Sequence, residues 1–256
     1  QIGRIKAVFK WGVGEELLPG EVYHRLVCVT GLRRGENGVR ESAPVRPVAD
    51  AVVEATLAHL CPTVADMVRV QRLSGARPGE ILQLRVCDLN MTAPIWEYTP
   101  RSHKNEHHDR DRIIFFGPQA QGILRKYLTL DLSAPLFRPE QAVAEQAAQK
   151  RQERKTPLWP SHVKTKEKIK TRRRRRRLNQ EYDVHVYRRA IARACEQAGV
   201  PNWTPHQLRH TAATDIRKQF GIERAQAVLG HAALGVTQLY AEKDMEAARD
   251  VMAKIG

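Results

Sequence analysis

Prolines and glycines divide most of this chain into short segments with a helical pattern. Their positions restrict its fold more than any other feature. Pro62 opens an apolar helical stripe that Gly75 ends, and Pro205 opens another that continues to about Gly221. Proline suits the first helical position because its missing N–H has no partner there, and glycine suits the residue just past the end. The sequence therefore predicts a mainly helical chain, with further helices after Asp50, after Pro78, over 119–130, over 184–198, before Gly230 and over about 244–254.

One part of the chain has the composition of strands instead. Ile95–Thr99 and Arg112–Phe116 are rich in residues that favour β structure, and they flank a polar stretch with several histidines. This pattern predicts a hairpin. We therefore expect a mainly α fold with a small antiparallel β-sheet or hairpin, an α+β arrangement.

Composition shifts along the chain suggest its organisation. An amphipathic stripe at 4–18 is typical of a single helix, which is marginal without partners. Glycines and prolines among charged residues make 21–48 a predicted linker. A compact unit is predicted over 49–256, interrupted by a basic insertion at about 139–182.

Charge indicates the class of partner. The 256 residues include 43 Lys+Arg and 28 Asp+Glu, a formal net charge of +15, so a polyanion, most often nucleic acid, is the expected partner. Residues 151–177 alone carry +11, and like charges at that density bury nothing. The segment is either an ordinary solvated basic loop or a phosphate-binding arm. The second hypothesis assigns DNA contacts to Lys164, Lys166, Arg172, Arg173, Arg174, Arg175, Arg176 and Arg177.

Other classes of protein are disfavoured. No stretch approaches the ~18 apolar residues of a membrane-spanning helix, and the chain does not open on a secretory signal. The four cysteines lie far apart without a CxxC pair, which argues against a zinc finger and a disulfide framework. We expect a cytoplasmic protein of a reducing compartment, without membrane contact.

Two clusters could bind an anion. Arg77 lies in a tight turn next to a predicted helix start, where backbone amides and a guanidinium favour a phosphate; the alternative is a turn arginine paired with Glu80. His206 and Arg209 lie three residues apart at the start of a helix, hence on one face. An imidazole and a guanidinium on one face suit a phosphoryl oxygen and a proton transfer.

Two further clusters could complete a reactive site. Tyr240 follows His231 by nine residues, and a tyrosine hydroxyl can be a covalent nucleophile where cations stabilise its phenolate. The alternative is a partly buried structural tyrosine. Lys104 lies in the predicted hairpin turn, where it could reach a phosphate or donate a proton. Its neighbours His103, His107 and His108 raise the idea of a metal, but they lack the usual ligand spacing, so we expect none.

Taken in order, these clusters resemble the catalytic domain of the tyrosine recombinases, the phage integrase family. The resemblance is carried by LSGARPGEILQLRVCDLN at 73–90, PHQLRHTAATDIRKQFGI at 205–222 and AQAVLGHAALGVTQLYAEKD at 225–244. It covers about 49–256, apart from the basic insertion, to which it assigns no role. Residues 1–20 resemble the final helix of the core-binding domain that precedes the catalytic one in this family, so we expect a remnant of that helix.

The resemblance implies a role for each residue. Tyr240 would attack a scissile phosphodiester of double-stranded DNA, giving a 3′-phosphotyrosyl intermediate, while Arg77 and Arg209 hold the non-bridging oxygens. Lys104 would protonate the leaving 5′-oxygen. His206 and His231 would orient the phosphate and manage the tyrosine proton, and Glu80 would support the site. The resemblance also implies a tetramer of protomers on DNA and no cofactor.

Three other functions stay open at this point. A type IB topoisomerase-like enzyme would share this nicking and resealing chemistry, although the LGH and TQLY strings favour a recombinase. A catalytically idle, truncated DNA-binding module would retain the same residues. A basic RNA-associated protein would explain the arginine run, but it would leave the ordered series of candidate residues unexplained.

Overall fold

The computed structural model describes residues 2–31, 44–101, 112–157, 159–161, 165 and 179–230. The chain divides into two compact units, Gln1–Pro44 and Val45–Gly256. Within the described residues, no helix has both the length and the apolar character needed to cross a membrane. All described residues of the predicted site lie in the second unit.

The first unit contains two helices that pack on each other, α1 (Ile2–Gly14) and α2 (Gly20–Val27). The helix predicted at 4–18 is present but ends earlier, because Glu16 adopts a φ of 58°, in the left-handed region that stops a right-handed helix. The assignment of 21–48 to a linker is wrong for the residues of α2. This helix packs on α1 and has no buried residue.

The helices of the second unit begin and end close to the prolines and glycines that predicted their starts and ends. α4 (Pro62–Ser74) ends at Gly75 and α9 (Pro205–Phe220) ends at Gly221, and both glycines have positive φ. The other described helices are α3 (Asp50–Leu57), α5 (Pro78–Leu82), α6 (Pro118–Leu124), α7 (Pro139–Gln152), α8 (Val184–Ala198) and α10 (Ile222–Leu229), with 3-10 turns at Val86–Asp88 and Arg125–Tyr127.

The predicted hairpin is confirmed and gains a third strand. β1 (Leu89–Asn90), β2 (Trp96–Tyr98) and β3 (Ile114–Phe116) form one antiparallel sheet in that order. Trp96 pairs with Phe116 and Tyr98 with Ile114, and these four side chains are buried on one face while the intervening Phe115 is exposed. The mainly α fold with a small antiparallel sheet is therefore confirmed.

The core of the second unit surrounds α4, whose residues Met67, Val68 and Val70 have no exposed surface. α6, α7 and α9 pack on this helix, and α3 packs on α8. The buried Trp203 donates its indole N–H to the Thr56 hydroxyl at 3.0 Å, which joins the segment before α9 to α3. The central position of α4 matters because the predicted Arg77 turn begins where this helix ends.

Three sequence expectations differ from the structure in detail. The helix predicted after Asp50 includes this residue, which is the first of α3, and the Asp50 carboxylate pairs with Arg72 of α4 at 2.9 Å. The helix predicted over 119–130 ends at Leu124 and is followed by the 3-10 turn Arg125–Tyr127; Tyr127 is still buried, whereas Leu130 is exposed.

The third difference concerns the basic insertion predicted at about 139–182. Its first part is the helix α7, which packs on α4. Glu145 of α7 accepts hydrogen bonds from the backbone N–H of Thr63 at 3.0 Å and from its hydroxyl at 2.8 Å, at the N-terminus of α4. A carboxylate there is stabilised by the helix dipole and satisfies a free backbone donor. Residues 139–152 therefore form part of the folded unit.

Candidate active site

The turn between α4 and α5 depends on Gly75. This residue has a φ of 63°, and a Cβ built on it would lie 2.9 Å from Cδ2 of Leu229, at the end of α10. Only glycine combines that backbone conformation with so close an approach. Two residues later, Arg77 occupies the N-cap of α5 with extended backbone angles.

Arg77 is held by Glu80, one turn further along. Its backbone N–H donates to Oε2 of Glu80 at 2.7 Å, and its Nη1 donates to Oε1 at 2.8 Å. Glu80 is buried, whereas the Arg77 side chain is 20 % exposed. The pairing with Glu80 and access to a ligand are therefore compatible, since the carboxylate orients the guanidinium and leaves part of it at the surface.

A second arginine, Arg112, contacts the same carboxylate and was not identified as a site residue from the sequence. It lies two residues before β3, and its Nε donates to Oε1 of Glu80 at 3.4 Å. Burial alone would raise the pKa of Glu80, but the charge of Arg112, the Arg77 N–H and the charge of Arg77 together hold that pKa below its usual value. Glu80 is thus an ionised, buried carboxylate shared between two guanidiniums.

Arg209 projects from α9 and has no exposed surface. Its Nη1 donates to the carbonyl of Gly75 and its Nη2 to the carbonyl of Leu229, both at 2.7 Å. These carbonyls lie at the C-terminal ends of α4 and α10, where backbone acceptors lack intrahelical partners and the helix dipole is negative. The guanidinium therefore joins two helix ends and compensates the partial negative charge of each.

His206 lies in the first turn of α9, and its ring meets the ring of His210 edge-on, with 5.4 Å between centroids. Residues four apart on a helix share a face, which accounts for this contact. His210 is buried, whereas His206 is half-buried. Of the two rings, His206 therefore has the greater access to a ligand.

Gln71 connects the Arg77 turn to the start of α9, and it was not identified as a site residue from the sequence. Its buried side-chain amide donates to the carbonyl of Ala76 at 3.3 Å, next to Arg77, and to the carbonyl of Pro205 at 2.9 Å, next to His206. Its Oε1 accepts from the hydroxyl of Tyr187 at 3.0 Å. One polar side chain on the buried face of α4 thus fixes the Arg77 turn against the start of α9.

Several predicted residues lie outside the described residues: Lys104, His231, Tyr240, Lys164, Lys166, Arg172, Arg173, Arg174, Arg175, Arg176 and Arg177, together with His103, His107 and His108. Within the part of the chain that the structure describes, no group of three or more potential metal ligands comes together. The described part of the site is therefore the cluster of Arg77, Glu80, Arg112, His206 and Arg209.

Residues 51–247 match the family model described as the Phage integrase family. A tyrosine recombinase XerC of Bifidobacterium longum subsp. infantis is 40% identical over 65 residues, which are 25% of this chain and 18% of the relative. A tyrosine recombinase XerC of Leptospira interrogans is 26% identical over 190 residues, 73% of this chain and 49% of the relative. The chain thus spans about half or less of the length of these curated relatives.

Solved structures share the fold. A Tn1549 transposon integrase in complex with a circular intermediate DNA has a TM-score of 0.62 and 13% sequence identity, covering 99% of this chain and 77% of that one. A lambda integrase dimer bound to a COC′ core site has a TM-score of 0.56 and 15% identity, covering 94% and 57%. The XerA recombinase has a TM-score of 0.54 and 22% identity, covering 91% and 72%.

Proposed function

Because the chain belongs to the phage integrase family, we propose that it is a tyrosine-type site-specific recombinase acting on double-stranded DNA. One observation carries the proposal beyond the family match. Arg209 is hydrogen-bonded to the carbonyl of Gly75, a residue 134 positions earlier and two residues before Arg77. This bond brings two arginines from distant parts of the sequence to one turn. A phosphodiester under nucleophilic attack gains negative charge, and two guanidiniums at one turn are suited to stabilise it.

The proposed reaction uses Tyr240 as the nucleophile. Its hydroxyl oxygen forms a bond to phosphorus while the bond from phosphorus to the 5′-oxygen breaks, which leaves a 3′-phosphotyrosyl link and a free 5′-hydroxyl. Arg77 and Arg209 bind the non-bridging oxygens. His206 and His231 take up the tyrosine proton and orient the phosphate, and Lys104 gives a proton to the leaving oxygen. Rejoining is the reverse, and the phosphotyrosyl bond conserves the energy needed for it.

Glu80 supports this arrangement without reacting. Its ionised carboxylate fixes Arg77 from the buried side, so that the guanidinium keeps one orientation as charge develops on the phosphate. Arg209, in contrast, has no exposed surface. Its contact with a phosphate therefore depends on a local rearrangement of the residues that cover it.

The partners follow from the same proposal. We assign Lys164, Lys166 and the arginines of 172–177 to non-specific phosphate contacts, because residues 164–177 carry ten positive charges and a single acidic residue. Strand exchange requires further copies of the enzyme, so a tetramer of protomers on DNA is part of the proposal. The enzyme acts on DNA of the bacterial cytoplasm.

A suicide substrate tests the activity. The protein is incubated with duplex DNA from its own genomic flanks, nicked so that the 5′-hydroxyl fragment diffuses away and the covalent intermediate accumulates. The expected product is a protease-sensitive protein–DNA adduct that forms equally well with and without EDTA. Specific binding without an adduct would show a DNA-binding module instead. Loss of the adduct in EDTA would revive the metal hypothesis for His103, His107 and His108. Relaxation of supercoiled DNA at any sequence would favour a topoisomerase.

A further inference from the structure

Arg112 is a buried arginine at the edge of the sheet. Its side chain is only 4 % exposed, and burial lowers its pKa although Glu80 acts in the opposite direction. Its Nη2 is buried and has no hydrogen-bond partner among the described residues. Burying a guanidinium is costly, and a polar atom left unpaired adds to that cost. Such a residue is better explained by a role in the site than by a contribution to stability alone.

The Nε side of Arg112 faces the carboxylate that orients Arg77. Oε1 of Glu80 accepts from Nη1 of Arg77 at 2.8 Å and from Nε of Arg112 at 3.4 Å. Arg112 is the strongest of the charges that lower the pKa of Glu80. Without Arg112, Glu80 would lose one of the two positive charges that compensate it, and its hold on Arg77 would weaken.

The other side of Arg112 is anchored at the end of α10. Its Nη1 donates to the carbonyl of Val228 at 3.3 Å, and a Cβ built on Gly230 would lie 2.4 Å from that nitrogen. The helix end and the guanidinium are therefore in direct contact, and a side chain at position 230 would displace one of them. Gly230 directly precedes His231 in the sequence.

We infer that Arg112 is a positioning residue for cleavage, which fixes Arg77 through Glu80 and is itself held in place by the end of α10. This inference rests on the proposed function. The planar guanidinium contacts Glu80 through Nε and the Val228 carbonyl through Nη1 at the same time. A lysine supplies the charge but cannot make two contacts in that fixed geometry. The residue acts on the reaction through Arg77 and does not touch the phosphate.

Single-turnover cleavage of the suicide substrate tests this assignment by a double-mutant cycle. We expect Arg112→Met to slow cleavage by about 10- to 100-fold with DNA affinity changed by less than about threefold, because a small displacement of a positioned group is enough to reduce the rate. In an Arg77→Ala background the same change is expected to slow cleavage by less than about threefold, since the guanidinium that Arg112 positions is already absent. Arg112→Lys is expected to recover part of the rate.

The matched control is Arg85→Met. Arg85 also joins two segments, through the carbonyl of Ser133 and the carboxylate of Glu181, but it does not contact Glu80 in the described structure. We expect the Arg85→Met variant to cleave at the wild-type rate at temperatures where the protein is folded. A readout independent of activity is the pKa of the Glu80 carboxyl measured by NMR, which is expected to rise in Arg112→Met and to stay unchanged in Arg85→Met.

The outcomes separate this inference from the proposed function. If the wild-type protein forms no adduct, both are overturned. If the wild type is active and Arg112→Met slows cleavage equally with and without Arg77, or leaves the pKa of Glu80 unchanged, the positioning role is wrong and the activity stands. Where Arg112→Met does not fold, the cycle is made with Arg112→Lys, for which equal slowing in both backgrounds has the same meaning.

Discussion

Arg77 and Arg209 lie close together in the second unit, but the fold holds them in different ways. Arg77 sits in a turn, is 20 % exposed and is oriented by the carboxylate of Glu80. Arg209 is fully buried in α9 and is oriented by the backbone carbonyls of Gly75 and Leu229. A carboxylate can be protonated or replaced by mutation, whereas a carbonyl moves only if the helix end moves. The two guanidiniums should therefore respond to different perturbations.

Removing either guanidinium is expected to have the largest effect on cleavage. If both stabilise charge in the transition state, Arg77→Ala and Arg209→Ala should each slow the chemical step by ~10²–10³, about 3–4 kcal/mol, the range found when one donor is removed from an oxyanion site. Single-turnover cleavage measures the effect, with the exposed Arg69→Ala as the control, whose side chain pairs with Asp66. A rate within about threefold of the wild type in either variant would remove that arginine from the mechanism.

The same two variants should separate in stability. Arg209→Ala leaves two buried carbonyls without their donor, and each unsatisfied group costs roughly 1–3 kcal/mol, so we expect a loss of about 2–6 kcal/mol in the free energy of unfolding. Arg77→Ala removes a partly exposed group and leaves Glu80 paired with Arg112, so a loss of about 1 kcal/mol is expected. Denaturant unfolding measures both values. Equal losses would show that the two arginines are not held differently.

Gly75→Ala tests the backbone that anchors Arg209. The left-handed conformation costs an L-residue roughly 1–2 kcal/mol, and the new methyl group would lie 2.9 Å from Leu229. We expect a loss of about 2 kcal/mol in stability and slower cleavage, because the carbonyl bound by Arg209 shifts with the turn. Gly79→Ala is the control, since a Cβ there meets none of the described atoms within 4 Å. If both variants are equally stable and active, the close approach at Gly75 is not required.

The pH dependence of stability distinguishes the carboxylate from the carbonyls. The pKa of Glu80 lies below its usual value of 4.5, because Arg112 and Arg77 outweigh the opposing effect of burial. The stabilisation it provides is therefore complete above pH 4.5 and is lost as the pH falls through the lower, folded-state pKa. We expect the stability difference between wild type and Glu80→Gln to shrink below pH 4.5. The cost of Gly75→Ala should stay constant over that range, and a constant difference for Glu80→Gln would contradict an ionised Glu80.

The basic segment at 164–177 is expected to affect the chemical step least. If four of its charges reach phosphates, log affinity should fall with log salt by an extra slope of roughly 3–4, near 0.9 for each contact. Replacing Arg172–Arg177 by serine should flatten that slope while cleavage of prebound DNA stays nearly unchanged. Binding measured at several salt concentrations tests this, and an unchanged slope would make the segment an ordinary solvated loop.

Local sequence signals predicted those parts of the fold that depend on nearby residues. The helix starts at Pro62 and Pro205 and the ends at Gly75 and Gly221 follow from steric preferences of single residues, and the structure has them there. α7 was missed because only Ala142 is buried along it, and its anchor is a carboxylate contact with a residue 82 positions away.

The candidate site shows the same limit more sharply. Arg77, His206 and Arg209 were identified because their motifs are local and ordered along the sequence. Gln71 and Arg112 were not, because each acts through contacts with distant backbone, 134 positions for Gln71 and 116 for Arg112. A polar residue at a buried position of an apolar helix was the only signal for Gln71. For Arg112, the alternation of residues along β3 offered no such signal.

Mapping the tyrosine in the protein–DNA adduct tests the central claim most directly. Tyr98 and Tyr187 are buried, and burial raises the pKa of each hydroxyl, so neither is suited to attack a phosphate. Burial likewise raises the pKa of Tyr182. Mass spectrometry of the digested adduct should place the nucleotide on Tyr240 alone, and Tyr240→Phe should abolish the adduct while DNA affinity stays within a few-fold of the wild type. An adduct on Tyr98, Tyr182 or Tyr187, or one that persists in Tyr240→Phe, would contradict the account.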